Sequence, residues 1–270
     1  MIKGAVLGSP ISHSLSPALH AAAFDFLGVE GSYHAIEVKS GHLADFLSKS
    51  SEALEEFDYF SLTMPLKEEI LNLGIERDSL VQRIQSANTL YRKNNAWFAT
   101  STDGSGFIQA LERSDRKSFE KTLILGAGGT ARAVAGAIGA KTHRVDVMGR
   151  TSAREQVIAG CVEGAEFSYL PWDNDLDFTP YDLVINTTPA GAADLLAQSV
   201  PMKSSALFFD VIYKPWPTIL AQRWMDCGGE VIDGLELLIY QGIDQLDLVI
   251  GIGSSRAELA QRLRKVLRSL

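Results

Sequence analysis

The sequence predicts an α/β protein of two domains, each a sheet covered by helices, the second a doubly wound parallel sheet. Three observations predict it. Short apolar runs of strand character alternate with helical stretches on both sides of residue 104, the pattern of sheets joined by helical crossovers. The chain has 270 residues and is 46% hydrophobic, enough for one large or two ordinary domains with sizeable cores. Finally, "LGAGGTARA", residues 125–133, follows the apolar run "TLI" and leads into an alanine-rich helical stretch.

In order along the first half, strands are expected over 4–7, 32–38, 60–63 and 89–92, with helices over 17–27 and 41–48 between them. The alternation argues for a parallel sheet. A second sheet starts near Thr122 and continues through "VDVM", "DLVINTT", "ALFFDVIY" and "EVID". The tail, 256–270, carries Leu259, Leu263, Val266, Leu267 and Leu270 at helical spacing, so it needs a surface to cover. We place it back on the first domain. The expected division is 1–103 together with 235–270, and 104–234.

Gly126, Gly128 and Ala131 fit the spacing in which glycines turn a strand sharply into a helix and bring its N-terminus up to a pyrophosphate. The strand over 121–125, the helix over 130–139 and the strand "HRVDVMGR" supply the strand–helix–strand context that a dinucleotide-binding turn requires. A tight turn with no ligand is the plainer alternative. On the ligand reading, Gly126, Ala127, Gly128, Gly129, Thr130 and Ala131 line the cofactor. The second strand ends in "VMGRTSAR", with Arg150 and Arg154 on a turn and no acid between them. An NAD site puts a carboxylate there for the ribose hydroxyls, whereas an NADP site needs cations for the 2′-phosphate. The residues therefore predict NADP, with Thr151 adding a hydroxyl; a solvated surface turn is the alternative reading of both arginines. Asp146 is the competing acid, but it lies inside the strand.

Composition excludes several classes. A net charge of −8 is wrong for a nucleic-acid surface. No apolar run approaches the roughly 20 residues of a membrane helix, and "MIKGAVLGSP" reads as a first strand rather than a leader. We expect a cytoplasmic protein, monomeric or homodimeric, with a small-molecule substrate. Cys161 and Cys227 lack metal-ligand spacing and read as ordinary thiols, and no metal site is expected. His13 and His20 lie too far apart for a one-turn helical metal pair, and each reads as a satisfied or exposed side chain.

A ligand cleft is expected between the two domains. "GSPISHSLSPALH" offers Ser14 and Ser16 just before a helix, a combination that can hold a carboxylate. Alternatively Ser16 is simply the N-cap, with Pro17 at the first helical position. "SLTMPLKEE" places Lys67 after a proline turn, and "ATSTDGSGF" places Asp103 before a glycine-rich bend. If they meet, a lysine held by a carboxylate can transfer a proton to or from an alcohol. Taken singly, each also reads as a solvated charge.

The ordered series "SPISHSLSP", "LTMPLK", "SANTL", "STDGSG", "GAGGTARA", "GRT", "INTTPAG", "DVIYKPWPT" and "DGLELLIYQG" resembles the shikimate dehydrogenase family over essentially the whole chain. The resemblance implies a substrate domain formed from both chain ends, an inserted Rossmann domain, and NADP-dependent reduction of 3-dehydroshikimate to shikimate on the route to chorismate and the aromatic amino acids. It implies that Lys67 and Asp103 are the catalytic pair, that Ser14 and Ser16 bind the substrate carboxylate, and that Thr63, Asn88, Thr102, Tyr213 and Gln241 contact or line the substrate site. Thr187 joins the cofactor contacts. Three departures stand out: Ser101 where the family usually has asparagine, Leu237 where it has methionine, and Gly149 where it has the asparagine of an Asn-Arg-Thr run. Two alternatives stay open, an NAD-using quinate/shikimate dehydrogenase and a non-catalytic ligand-binding relative.

Overall fold

The computed structural model of the protein describes residues 1–49, 56–94 and 96–270. They form two compact units, Met1–Gly106 with Leu238–Leu270, and Phe107–Leu237.

Among its described residues the first unit holds six strands: β1 (Ile2–Gly8), β2 (Gly31–Glu37), β3 (Tyr59–Leu62), β4 (Glu76–Arg77), β5 (Thr89–Lys93) and β6 (Ala96–Thr100), in the order β2-β1-β3-β5-β6-β4. This sheet is mixed rather than wholly parallel. β1 runs parallel to β2 and β3, but β5 is antiparallel to both β3 and β6. The cause is local: Lys93 pairs with Ala96 across a tight reversal, and Asn94 takes a left-handed φ of 52°, a conformation asparagine tolerates. β6 is the strand that the alternation over 89–104 does not reveal.

One face of this sheet buries Ala5, Leu7, Phe60, Leu62, Leu90 and Ala99 against Leu43, Leu66 and Val81. On the other side α1 (Ser16–Leu27) buries Leu19, His20, Ala23 and Phe24. His20 is fully buried, stacked on Tyr33 at 3.8 Å, with Nδ1 hydrogen-bonded to the Tyr59 hydroxyl at 2.7 Å. It is thus neither exposed nor fully satisfied, because its Nε2 is buried with no partner among the described residues. Burial drives its pKa down to about 3, so it is neutral in the fold.

The tail helix (Arg256–Leu267) buries Leu259, Ala260, Leu263 and Leu267, and its Arg262 lies 3.7 Å from Asp25 of α1. Of the periodic residues of the tail, Leu259, Leu263 and Leu267 are buried, Val266 is half-buried and Leu270 is exposed.

The second unit is a six-stranded, wholly parallel sheet of β7 (Phe119–Leu125), β8 (Thr142–Gly149), β9 (Glu166–Pro171), β10 (Leu183–Asn186), β11 (Leu207–Asp210) and β12 (Val231–Ile232), in the order β12-β11-β10-β7-β8-β9. The order reverses direction between β7 and β10, which makes this the doubly wound nucleotide-binding topology with its switch point at that pair. β9 escaped the sequence reading because it is a half-buried edge strand with weak apolar alternation. The helix Gly129–Ile138 buries the small or branched residues Ala131, Ala133, Val134 and Ala135, allowing close approach to the sheet. Trp224 anchors another part of the core, stacked on Phe208 at 5.0 Å and donating its indole N–H to the Ala206 carbonyl at 3.0 Å. Cys161 and Cys227 are buried and form no disulfide, and the Cys161 thiol donates to the Val157 carbonyl at 3.2 Å.

Leu263→Ala should destabilise the protein by about 2–5 kcal/mol, the usual cost of a cavity at a fully buried leucine. Leu270→Ala, at a 71% exposed position, should change stability by less than about 0.5 kcal/mol. Chemical denaturation of both variants checks the contrast.

Candidate active site

The strand directions of the first sheet decide which segments meet. β1 and β3 run parallel, with Leu7 opposite Leu62, so their C-terminal ends lie at one edge. The reversed strand β5 begins at that same edge, with Thr89 opposite Ser61, and β6 returns to it, with Thr100 opposite Thr89. Four loops therefore emerge together: the segment after β1 with Ser14 and Ser16, Thr63 to Lys67 after β3, Asn88 before β5, and Ser101 to Asp103 after β6.

At the centre of this edge Lys67 Nζ donates to Asp103 Oδ2 at 2.5 Å, with the lysine side chain 17% and the aspartate side chain 6% exposed. Lys67 sits on a single helical turn, Leu66–Glu69, and Asp103 is the first residue of the helix Asp103–Leu111. The second carboxylate oxygen, Oδ1, accepts from Asn88 Nδ2 at 2.8 Å. Asn88 Nδ2 also reaches Thr102 Oγ1 at 3.0 Å and Gln241 Oε1 at 3.2 Å. Asn88 Oδ1 accepts from the Thr102 N–H at 2.7 Å and the Thr89 hydroxyl at 2.9 Å. Lys67, Asp103, Asn88, Thr102 and Gln241 thus form one buried polar cluster.

Thr63 follows β3 directly, while Ser14 and Ser16 lie at the end of the segment after β1 and the start of α1. Here the structure revises the capping expectation. Ser16 lies within α1, Leu15 holds the cap position without a side-chain bond, and Ser14 Oγ accepts from the Ser16 N–H at 3.3 Å. Ser14 keeps its own proton to donate. Tyr213 belongs to the second unit, half-buried beyond β11.

The cluster extends into residues that motif reading missed. Gln245 Nε2 donates to Thr89 Oγ1 at 2.9 Å, and its Oε1 accepts from Ser61 Oγ at 2.6 Å. Ser61 in turn shares a 2.5 Å bond with the Tyr33 hydroxyl. The available signal was helical spacing: Gln241 and Gln245 are four apart on the helix Gly234–Ile250 and share a face.

In the second unit all strands point one way, so the corresponding edge gathers the turns after β7, β8, β10 and β11. Gly126 has φ +102°, where a side chain is strained, and a Cβ there would meet Thr187 Oγ1 at 2.7 Å. Gly128 is the N-cap of the helix Gly129–Ile138 and makes no side-chain cap bond. The N–H groups of Gly129, Thr130 and Ala131 at this helix start are the kind that an anion satisfies. Thr187 holds the turn from above, donating its N–H at 2.9 Å and its hydroxyl at 2.7 Å to the Leu125 carbonyl. Arg150, Thr151 and Arg154 lie on the exposed turn after β8, and Arg154 Nη1 donates to the Ala127 carbonyl at 3.2 Å. Asp146 is committed elsewhere, bonded to Arg144 at 2.8 Å, Lys121 at 3.1 Å and the Tyr181 hydroxyl at 2.9 Å. Burial raises its pKa, but those donors outweigh the effect and hold it below the ordinary carboxylate value.

A parallel sheet of this order with a glycine turn at its switch point defines a nucleotide-binding α/β protein, and the buried lysine–carboxylate pair adds acid–base equipment to it. Residues 6–90 match the family model described as the shikimate dehydrogenase substrate binding domain. The chain is 34% identical over 268 residues to "Shikimate dehydrogenase (NADP(+))" of Exiguobacterium sibiricum, covering 97% of this chain and 98% of the relative. Its structure resembles the crystal structure of Mycobacterium tuberculosis shikimate dehydrogenase, with a TM-score of 0.86, 30% identity and complete coverage of both chains. It also resembles the shikimate 5-dehydrogenase of Thermus thermophilus solved with NADP(H) and shikimate, with a TM-score of 0.82, 30% identity, and coverage of 98% of this chain and 100% of that one. The chain belongs to the shikimate dehydrogenase family.

At the end of β11, Asp210 is buried and accepts from Thr218 at 2.7 Å, Asn186 at 3.1 Å and the Ile212 N–H at 3.1 Å. Burial is the stronger effect and pushes its pKa from 3.8 up to about 6, against the pull of those donors. The folded protein therefore holds a proton that the unfolded chain has lost, and this group's contribution to stability falls as pH rises from about 4 to about 6. The size is about 2–3 kcal/mol. Asp210→Asn should remove that slope, and urea denaturation of both proteins at about pH 4, 5, 6 and 7 reads it. Equal slopes would show that Asp210 is not its source.

Proposed function

We propose that the protein catalyses the reversible reduction of 3-dehydroshikimate to shikimate with NADPH. The observation that carries the reading is the Lys67–Asp103 pair at 2.5 Å inside the Asn88–Thr102–Gln241 cluster, in a chain of this family. The second unit fits a dinucleotide: the turn at Gly126 leaves no room for a side chain, and the helix start at Gly128 has no capping side chain. The exposed Arg150 and Arg154, with no acid between them, suit a 2′-phosphate, since a guanidinium donates a planar fork of hydrogen bonds and stays charged.

When bound, the nicotinamide supplies the hydride; the protein's own residues bind and orient the substrate and manage one proton. Ser14 and Ser16 hold the substrate carboxylate. Thr63, Asn88, Thr102 and Gln241 engage ring hydroxyls, and Tyr213 lines the substrate pocket. Lys67 delivers the proton to the carbonyl oxygen as it becomes an alcohol, and withdraws it in the reverse direction. Asp103 holds Lys67 through Oδ2 and hydrogen-bonds the reacting hydroxyl. Asn88, by occupying Oδ1, fixes the plane of that carboxylate. A net charge of −8 agrees with a small-molecule enzyme rather than a nucleic-acid binder, and we place it in the cytoplasm as a monomer or homodimer.

Lys67→Ala and Asp103→Asn should each lower kcat by about 10²- to 10⁴-fold while leaving a folded protein by circular dichroism. Nicotinamide absorbance with shikimate and NADP measures it, and near-wild-type turnover in folded Lys67→Ala would remove that lysine from the reaction.

Ser14→Ala should raise KM for shikimate about tenfold or more, because a buried carboxylate loses about 1.5–3 kcal/mol when a donor is removed. KM for NADP should move less than twofold. An unchanged shikimate KM would leave Ser14 with only its bond to the Ser16 N–H.

A further inference from the structure

β8 and β9 run parallel with Val147 opposite Tyr169 and Gly149 opposite Pro171. Tyr169 and Gly149 are therefore diagonal neighbours on one face of the sheet, and the phenol reaches across to the end of β8. A Cβ built on Gly149 would collide with the Tyr169 hydroxyl and lie 2.8 Å from its Cζ. Gly149 does not have a left-handed φ, so the tyrosine, not the backbone, requires glycine there. The phenol then donates to the Thr151 carbonyl at 2.6 Å.

The segment it grips has little else to hold it. Every residue from 150 to 157 is exposed, so apolar packing contributes little to its order. Thr151 caps the turn that follows, accepting from the Ala153 N–H at 3.3 Å, and Arg154 ties the turn to the glycine loop through the Ala127 carbonyl. The Tyr169 bond fixes the base of the turn and the Arg154 bond fixes its far side. Burial first, and the charge of Glu155 second, raise the phenol pKa, while Arg154 pulls it the other way.

We infer that Tyr169 is a positioning residue for cofactor choice: seated in the space left by Gly149, it holds the Thr151 carbonyl so that Arg150, Thr151 and Arg154 present their donors to the 2′-phosphate of NADP. The inference rests on the NADP reading above. Tyr169 itself needs no contact with the cofactor.

The test compares two probes by isothermal titration calorimetry, 2′,5′-ADP, which carries the phosphate, and 5′-AMP, which does not. Tyr169→Phe keeps the ring and removes the donor. Its Kd for 2′,5′-ADP should rise about three- to tenfold, the yield of one lost hydrogen bond, with the Kd for 5′-AMP within twofold and KM for NADP rising in step with the first. Gly149→Ala attacks the same contact from the other side and should weaken 2′,5′-ADP in the same selective way. Unchanged 2′,5′-ADP affinity in Tyr169→Phe, or equal weakening of both probes, would overturn the role assigned to Tyr169 while leaving the NADP reading intact. A wild-type protein that binds the two probes equally would overturn the NADP reading, and this inference with it.

Discussion

The amide of Asn88 is the fixed point of the first unit. Its two ends are bonded in opposite directions, Nδ2 toward Asp103, Thr102 and Gln241, and Oδ1 from Thr102 and Thr89. The residue is 2% exposed, so each bond broken without replacement leaves a buried group unpaired, at about 1–3 kcal/mol. Segments far apart in sequence depend on it at once: the loop before β5, the start of the helix at Asp103, and the helix that carries Gln241. A lysine–carboxylate pair on a surface has many geometries. This one is restricted because the amide has already occupied the other carboxylate oxygen.

The second unit uses the same device at its own edge. Asn186, at the end of β10, donates to Asp210 and accepts from both the N–H and the hydroxyl of Thr188. That fixes the loop from which Thr187 bonds back to Leu125, directly over the turn at Gly126. In both units, a buried asparagine at a strand end sets the loop that carries the candidate chemistry. The reason is physical: an amide offers two donors and an acceptor in one plane, so it can bond partners on several segments at once.

The sequence disclosed much of this. The fold class, most of the strands and the glycine turn were legible because they rest on local patterns, namely apolar periodicity and glycine spacing. Strand β6 and its antiparallel pairing with β5 were not, because their signal is a single asparagine with positive φ between two ordinary apolar runs. β9 was hidden by its half-buried edge position. At the site, Lys67 and Asp103 could be named from motifs, but no local feature shows that they touch; that follows from three strand registers together. Gln245 and Tyr169 were invisible for a related reason. Gln245 acts on Thr89 and Ser61 from a distant helix, and Tyr169 acts through parallel pairing on a glycine at the end of the preceding strand. The family resemblance leads one to expect an asparagine where Gly149 stands, and the structure supplies the reason for the departure: the volume belongs to the phenol.

The β5–β6 hairpin has one more consequence, for where this chain can change length. Both of its open ends lead to the polar cluster, Asn88 on one side and Ser101 to Asp103 on the other, and their alignment rests on Thr89 facing Thr100. A residue added within either strand would slip that alignment and turn every following side chain to the opposite face. The closed end, beyond Lys93 and Ala96, lies the full length of the strands away from the cluster. Extra residues there would leave the pairing untouched, so the tip is the natural point to attach a reporter peptide or graft a binding loop, whereas the base admits no such freedom.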